Sequence, residues 1–148
     1  MIQKAIAEMN SKAIYQWDEK YPARSDFVKD IEQGQLTVGM VNGQLACIYV
    51  LSKECDAEYE TANWTDRNGN YCVIHRLCVN PEVQNQGIAR RLLQHGMEEL
   101  KKQGKKSAHF LVCKTNKKAL RSYEKLHFDV VGESDLFDED WWCYEKEL

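Results

Sequence analysis

The first third of the chain places apolar residues at the three-to-four-residue spacing of amphipathic helices. One such series predicts a helix that opens the chain and ends at Pro22, with an apolar face of Ile2, Ile6, Met9, Ala13 and Trp17. A second, shorter helix is predicted to begin at Ser25 or Asp26, which are both good capping residues, and to stop at Gly34. Its apolar face would consist of Phe27, Val28 and Ile31.

The rest of the chain alternates strand-like runs with helical ones. Strand candidates 36–41 and 45–51 flank Asn42-Gly43, which is typical of a two-residue hairpin turn because both positions need positive φ. Further strands are predicted at 71–79, 108–113, 129–131 and 141–144, and further helices at 87–103 and 117–126. The polar stretch 52–70 is expected to be a long loop or a hairpin tip. Helices and strands mixed on one core predict an α/β or α+β fold around one sheet.

Composition and charge narrow the classes of function. The 148 residues suit a single domain, and 43% apolar with 29% charged residues is the balance of a folded globular protein. The net charge of -3 argues against a nucleic-acid partner, since phosphate contacts need a clustered basic face. No apolar run approaches the ~20 residues that span a bilayer. The start of the chain lacks the pattern of a secretory signal, so we expect a cytoplasmic protein without membrane contact.

The cysteines and histidines predict no metal site. Five of the six cysteines lie in or beside strand-like runs, where cysteine behaves as a small apolar residue: Cys47, Cys72, Cys78, Cys113 and Cys143. The chain has no Cys-x-x-Cys pair, and its histidines do not sit at zinc-ligand spacing. Free thiols in a reducing compartment are the expected state.

The segment 73–89 joins a predicted buried strand to the longest predicted helix. Such a strand–loop–helix junction leaves backbone N–H groups unpaired at the helix N-terminus, where they and the helix dipole attract an anion. Gly87 would let a phosphate approach the backbone, Ala89 keeps the first turn narrow, and Arg90 and Arg91 add positive charge. The segment therefore predicts a phosphate-bearing ligand. A Walker loop is excluded because the chain has no Gly-Lys-(Ser/Thr), and a Rossmann fingerprint would need more glycines.

Two motifs in this half of the chain resemble those of one family. Gln84-x-x-Gly87-x-Ala89, preceded by Leu77-Cys78-Val79-x-Pro81, is similar to the pyrophosphate loop of GNAT acetyltransferases and its lead-in. Downstream, Asn116, Ala119, Tyr123 and Phe128 match the spacing N-x-x-A-x-x-x-Y-x-x-x-x-F of the same family. The resemblance covers the chain from about Leu36 onward. His127 stands where that family often has glycine, and the family's first strand has no counterpart before the first helix.

The resemblance implies a fold, a co-substrate and a set of site residues. The fold would be a mixed, mostly antiparallel central sheet flanked by helices, and the co-substrate would be acetyl-CoA, with no metal. The residues that would hold it are Leu77, Cys78, Val79, Gln84, Asn85, Gln86, Gly87, Ile88, Ala89, Arg90 and Asn116. Tyr123 would be the general acid that protonates the departing thiolate, although packing against the sheet explains it too.

An attacking amine must also lose a proton, and the first candidate for the general base is His75. Side chains two apart in a strand share a face, so His75 is expected beside Leu77 and Val79, and its ordinary pKa of ~6.5 suits the task. A core histidine is an equal explanation, and Glu54, Asp56 or Glu58 could act through water instead. Trp17 and Tyr21 are candidates for the acceptor pocket as well as for packing.

The resemblance leaves the acceptor and the class of activity open. Transfer of acetyl to a primary amine of a small molecule or peptide, by direct attack in a ternary complex, is the first expectation. A catalytically silent acyl-CoA sensor, or a toxin-like enzyme that acetylates aminoacyl-tRNA, are the alternatives. Without the family's first strand, the run 36–41 would be an exposed sheet edge, which predicts a homodimer.

Overall fold

A computed structural model describes residues 1–54, 63–136 and 139–148. The helices are α1 (Ile2–Asn10), α2 (Arg24–Glu32), α3 (Ile88–Lys102) and α4 (Lys117–Glu124). The strands are β1 (Leu36–Val41), β2 (Gln44–Ser52), β3 (Tyr71–Val79), β4 (Ser107–Cys113), β5 (Asp129–Leu136) and β6 (Glu139–Glu147). The predicted strands and helices all exist, while β5 and β6 are longer and α1 shorter than the pattern indicated. Asp56 and Glu58 lie outside the described residues.

The strands form one mixed sheet in the order β1-β2-β3-β4-β6-β5. Neighbours are antiparallel except β3 and β4, which run parallel because α3 carries the chain back across the sheet between them. Asn42-Gly43 forms the β1–β2 turn with φ values of 50° and 76°, as the pair predicted. The expected α+β fold with a mostly antiparallel sheet is confirmed.

Helices cover both faces of the sheet around β3. On one face α3 and α4 contribute the main core, with Leu92, Leu93, Met97, Leu100, Leu120 and Tyr123 packed on Tyr49, Ile74 and Phe110. On the other face Ala5 of α1 and Trp17 of the following loop pack on Ile48 and Cys78. β3 thus lies between two packed layers, and we expect a site at its C-terminal end, near Val79.

The first helix ends much earlier than Pro22. Ala13 adopts φ 55°, and the N–H of Ile14 donates to the carbonyl of Met9 at 3.1 Å. This 6→1 bond, with Ala13 in the left-handed conformation, is the Schellman closure of a helix. Residues 11–23 consequently form a loop, and Trp17 is buried from that loop rather than from a helix. The apolar spacing was real, but the prediction of a long helix was wrong.

The second helix presents a different face to the protein than its apolar pattern predicted. Its cap is Ala23, and Asp26 lies one turn inside, where its carboxylate accepts from the N–H of Ala23 at 2.7 Å. Val28 and Ile31 are 44% and 61% exposed, whereas Asp30 is only 2% exposed. Phe27 packs against the core as predicted, but the predicted cap and the burial of Val28 and Ile31 were wrong, because Asp30 is buried in an ion pair that is described below.

β3 contains a β-bulge at Arg76. Arg76 has φ 50°, and the register with β2 shifts there, with Cys78 opposite Ile48 but His75 opposite Val50. One residue of β2, Tyr49, thus lies opposite two of β3, Arg76 and Leu77, which inverts the alternation of side chains along β3. Ile74 before the bulge and Leu77 after it both pack into the core beneath α3.

Candidate active site

A cleft of about 1070 Å³ opens between the far ends of β3 and β4. The two strands pair only through residues 71–73 and 107–109, and beyond the bulge they separate. Leu77, Cys78 and Val79 line the cleft from one side and residues 110–112 from the other. A strand that leaves its neighbour offers backbone N–H and C=O groups to an extended ligand. The predicted cofactor-binding strand therefore borders this cleft.

The bulge corrects the argument that placed His75 beside Leu77 and Val79. Since Ile74, Leu77 and Val79 all face the core beneath α3, His75 does not share the face of Leu77. His75 nevertheless lines the same cleft, from the β3 segment just ahead of the bulge. His75 therefore lies at the predicted site, but the prediction that it shares a strand face with Leu77 and Val79 was wrong.

The loop before α3 has the conformation that an anion cradle needs. Asn85 and Gly87 have φ values of 63° and 74°, and Gly87 is the N-cap of α3. A Cβ built on Gly87 would meet nothing within 4 Å, so the approach to the backbone is open. The first turn of a helix has N–H groups without intrahelical partners, and the residues that carry them here line the cleft. Ile88, Ala89 and Arg90 line the cleft, while Gln86 does not and instead accepts from Arg91 at 3.5 Å.

The side chain of Gln84 ties this loop to three neighbouring segments. Its Nε2 donates to Glu8 of α1 at 3.0 Å and to the carbonyl of Val79 at 3.3 Å, and its Oε1 accepts from Lys118 of α4. A carboxamide can donate and accept at once, which suits it for such a junction. Gln84 therefore fixes the loop in place, a role that the sequence motif alone did not indicate.

Tyr123 reaches the cleft from α4 and is held by other rings. Its ring lies edge-on to Phe110 at 4.7 Å between centroids, and it is 7% exposed. Burial raises the pKa of Tyr123 above its usual value, and Tyr144 and Cys78 raise it further. The phenol is thus protonated throughout the neutral range, which a proton or hydrogen-bond donor requires.

Asn116 is the N-cap of α4 and also contacts the loop after α1. Its Oδ1 accepts from the N–H of Ala119 at 3.1 Å, and its Nδ2 donates to Gln16 at 3.1 Å. Asn116 lines the cleft, as its expected role in holding the co-substrate requires. The spacing between Asn116 and Tyr123 has a local explanation, because the cap fixes where α4 begins and hence where Tyr123 points.

Further aromatic and acidic side chains line the cleft. Tyr15, Trp17 and Tyr21 come from the loop after α1, and Trp141 and Glu139 come from β6. The sequence indicated Trp17 and Tyr21 but missed Tyr15, Trp141 and Glu139 as members of this site. No local signal could have found the β6 pair, because only the pairing of Trp141 with Cys113 brings β6 beside β4.

Cys78 lines the cleft, but its thiol is not suited to act as a nucleophile. Burial raises the pKa of the Cys78 thiol to about 12, so almost no thiolate exists at neutral pH. The five cysteines of the described segments are all free, as predicted, while Cys55 lies outside them. Those segments also contain no cluster of three or more His, Cys, Asp or Glu side chains able to hold a metal ion. Among the helices described, none has the length and apolarity to cross a membrane.

Comparisons with known proteins agree with this geometry. The family model described as the acetyltransferase (GNAT) family matches residues 4–128. A GNAT-family acetyltransferase from Streptococcus agalactiae 2603 superposes with a TM-score of 0.88 at 26% identity, over 99% of this chain and 86% of its own. The PaiA N-acetyltransferase of Thermoplasma acidophilum, solved with coenzyme A, superposes with a TM-score of 0.71 at 17% identity, over 99% of this chain and 90% of its own. An N-acetyltransferase from Staphylococcus aureus Mu50 superposes with a TM-score of 0.68 at 18% identity, over 97% of this chain and 90% of its own. No curated protein sequence matches the chain.

Proposed function

Because the chain belongs to the GNAT acetyltransferase family and is an acetyl-CoA-dependent acyltransferase, we propose that it acetylates a primary amine of a small molecule or peptide by direct attack in a ternary complex. The observation that carries this proposal is the cleft between β3 and β4, with the open N-terminus of α3 at one end and Tyr123 within it. The T. acidophilum relative was solved with coenzyme A, which supports the same co-substrate here.

The residues present fit the two ends of such a co-substrate. The N–H groups of the Gly87 loop and of the first turn of α3, with Arg90 at the rim, suit a pyrophosphate. The backbone of Leu77 and Val79, on the edge that leaves β4, suits the pantetheine amides. An N–H on that edge can also stabilise the oxyanion of the tetrahedral intermediate, a contribution often worth ~3 kcal/mol. When bound, acetyl-CoA supplies the activated acyl group.

Proton transfer is assigned to His75 and Tyr123. His75 takes a proton from the acceptor ammonium, and the amine then attacks the thioester carbonyl. Tyr123 donates its hydroxyl proton to the sulfur as the carbon–sulfur bond breaks. Among the acidic alternatives for the base, Glu54 is a poorer one, because its ion pair with Lys29 at 2.5 Å lowers the pKa of its carboxyl. The raised pKa of Cys78 favours direct transfer over an acetyl-cysteine intermediate.

The proposal is tested by thiol release from acetyl-CoA against a panel of polyamines, amino acids, aminoglycosides and peptides. Tyr123→Phe keeps the ring packing and removes only the hydroxyl, so kcat with the best acceptor should fall by up to ~100-fold while the affinity for acetyl-CoA is unchanged. Ser122→Ala, one residue away on α4 with its hydroxyl on the carbonyl of Lys118, is the matched loss of a hydroxyl next to the site. A fully active Tyr123→Phe enzyme would contradict the general-acid role. Acetyl-CoA binding without turnover on any amine would favour the sensor alternative.

A further inference from the structure

A largely buried ion pair forms part of the wall of the cleft, which Arg76 lines. Arg76 donates from Nη2 to Oδ1 of Asp30 at 2.5 Å and from Nε to Oδ2 at 2.8 Å. The side chain of Asp30 is 2% exposed and that of Arg76 is 14% exposed. This is the two-point pairing that a guanidinium and a carboxylate make best, and it compensates two charges that would be costly to bury alone.

The same guanidinium reaches a third segment. Its Nη1 donates to the hydroxyl of Tyr21 at 3.1 Å, and its carbon lies 5.9 Å from the centre of the Tyr21 ring. Arg76 therefore joins the bulge of β3 to α2 through Asp30 and to the loop after α1 through Tyr21. Asp30 and Tyr21 lie 46 and 55 residues before Arg76 in the chain, so these contacts are set by the tertiary fold alone.

The backbone of Arg76 is as unusual as its side chain. A non-glycine residue at φ 50° inside a strand is unfavourable and persists only where its surroundings fix it. Here the side chain of Arg76 is anchored by Asp30, and β3 pairs with β4 only ahead of the bulge, through residues 71–73. Tyr21, at the other end of the contact, lines the cleft on the side of Tyr15 and Trp17. The side chain of Arg76 thus connects β3, which we propose binds the thioester end of the co-substrate, to Tyr21 in the loop after α1.

We propose that Arg76 is a positioning residue for the acceptor: anchored by Asp30, it holds Tyr21 and the 11–23 loop as a fixed wall of the cleft and so sets the KM for the amine. The inference rests on the function proposed above. A fixed wall lowers the entropy that the amine loses when it is aligned with the carbonyl.

A double-mutant cycle separates this role from plain structural support. Arg76→Lys keeps the charge and loses the two-point contact, and Tyr21→Phe removes only the hydroxyl that accepts from Arg76. Each should raise the KM for the best amine of the panel by ~10-fold, as expected for a hydrogen bond to a charged group, with kcat and acetyl-CoA affinity nearly unchanged. The double variant should be no worse than the worse single one. Effects that multiply, or a KM that does not move in Arg76→Lys, would overturn the proposal.

Hydrogen exchange gives a readout that needs no acceptor. In Arg76→Lys and in Asp30→Asn, amides of residues 11–23 should exchange at least ~10-fold faster, whereas those of α3 should not. Lys102→Gln, which breaks the exposed pair with Glu99 on α3, is the control and should change neither. Unchanged exchange in residues 11–23 would overturn the proposal. A wild-type enzyme that binds acetyl-CoA without turnover would contradict the proposed transfer, and exchange would then decide the role of Arg76 by itself.

Discussion

Gly87→Glu places a carboxylate at the N-terminus of α3, where we propose that the pyrophosphate binds. Gly87 has φ 74° and open space in front of its backbone, so the new side chain meets no clash. The left-handed conformation costs a non-glycine residue ~1–2 kcal/mol, and a negative charge at a helix N-terminus returns up to ~1 kcal/mol. The free energy of unfolding of the variant should therefore fall by only ~1 kcal/mol, which lowers Tm by ~3 °C.

The response of Tm to acetyl-CoA should differ much more than the starting Tm. In the wild-type protein, ligand at ~100 times its Kd adds ~2.7 kcal/mol to the free energy of unfolding. For a chain of this length that raises Tm by ~8 °C. In Gly87→Glu the carboxylate stands where phosphate belongs, and like-charge repulsion should remove the rise. Thermal unfolding with increasing acetyl-CoA measures both quantities.

Gly104→Glu is the matched control for this experiment. Gly104 has φ 73° and the same open space, but it lies past the other end of α3, away from the cleft. The substitution imposes the same backbone strain and the same charge without touching the proposed cradle, so the full rise of ~8 °C should remain. A full rise in Gly87→Glu, or its loss in both variants, would refute the assignment of the loop.

Three further expectations concern the base, stability and assembly. His75→Ala should move or remove the acidic limb of the kcat/KM profile with the best amine, and an unchanged limb would exclude His75 as the base. Burial lowers the pKa of His109, so below pH ~6.5 the unfolded chain binds a proton that the folded one does not, and stability should fall with acidification by up to ~1.4 kcal/mol per pH unit. His109→Gln should reduce that slope in Tm measured from pH 7.5 to 5.5, and an equal slope would exclude His109 as its source. The position of β1 at the edge of the sheet, with Val38 and Met40 51% and 57% exposed, predicts a homodimer; light scattering that gives the mass of one chain at high concentration would contradict it.

Local signals in the sequence determined most of the elements and the conformation of the loop before α3. The Asn42-Gly43 turn and the end of α2 at Gly34 follow from positive φ, which few residues tolerate. The apolar period of 87–103 determined α3, because one face of a helix must be buried. Asn116 and Tyr123 also belong to this class, since a cap and a side chain seven residues on lie on one short helix. Each of these features depends on residues that are close in the chain.

Contacts between distant residues decided the rest of the site. The bulge at Arg76 could not be read from a strand-like run, because its conformation is held by Asp30, forty-six residues away. The same ion pair turned α2 so that Asp30 faced inward and Val28 outward, against the apolar pattern. Glu139 and Trp141 joined the cleft only through sheet pairing. The sequence pattern shows which side chains are apolar and are therefore expected to be buried. A charged side chain such as Asp30 is buried only because it pairs with an opposite charge from a distant part of the chain, which the local pattern does not show.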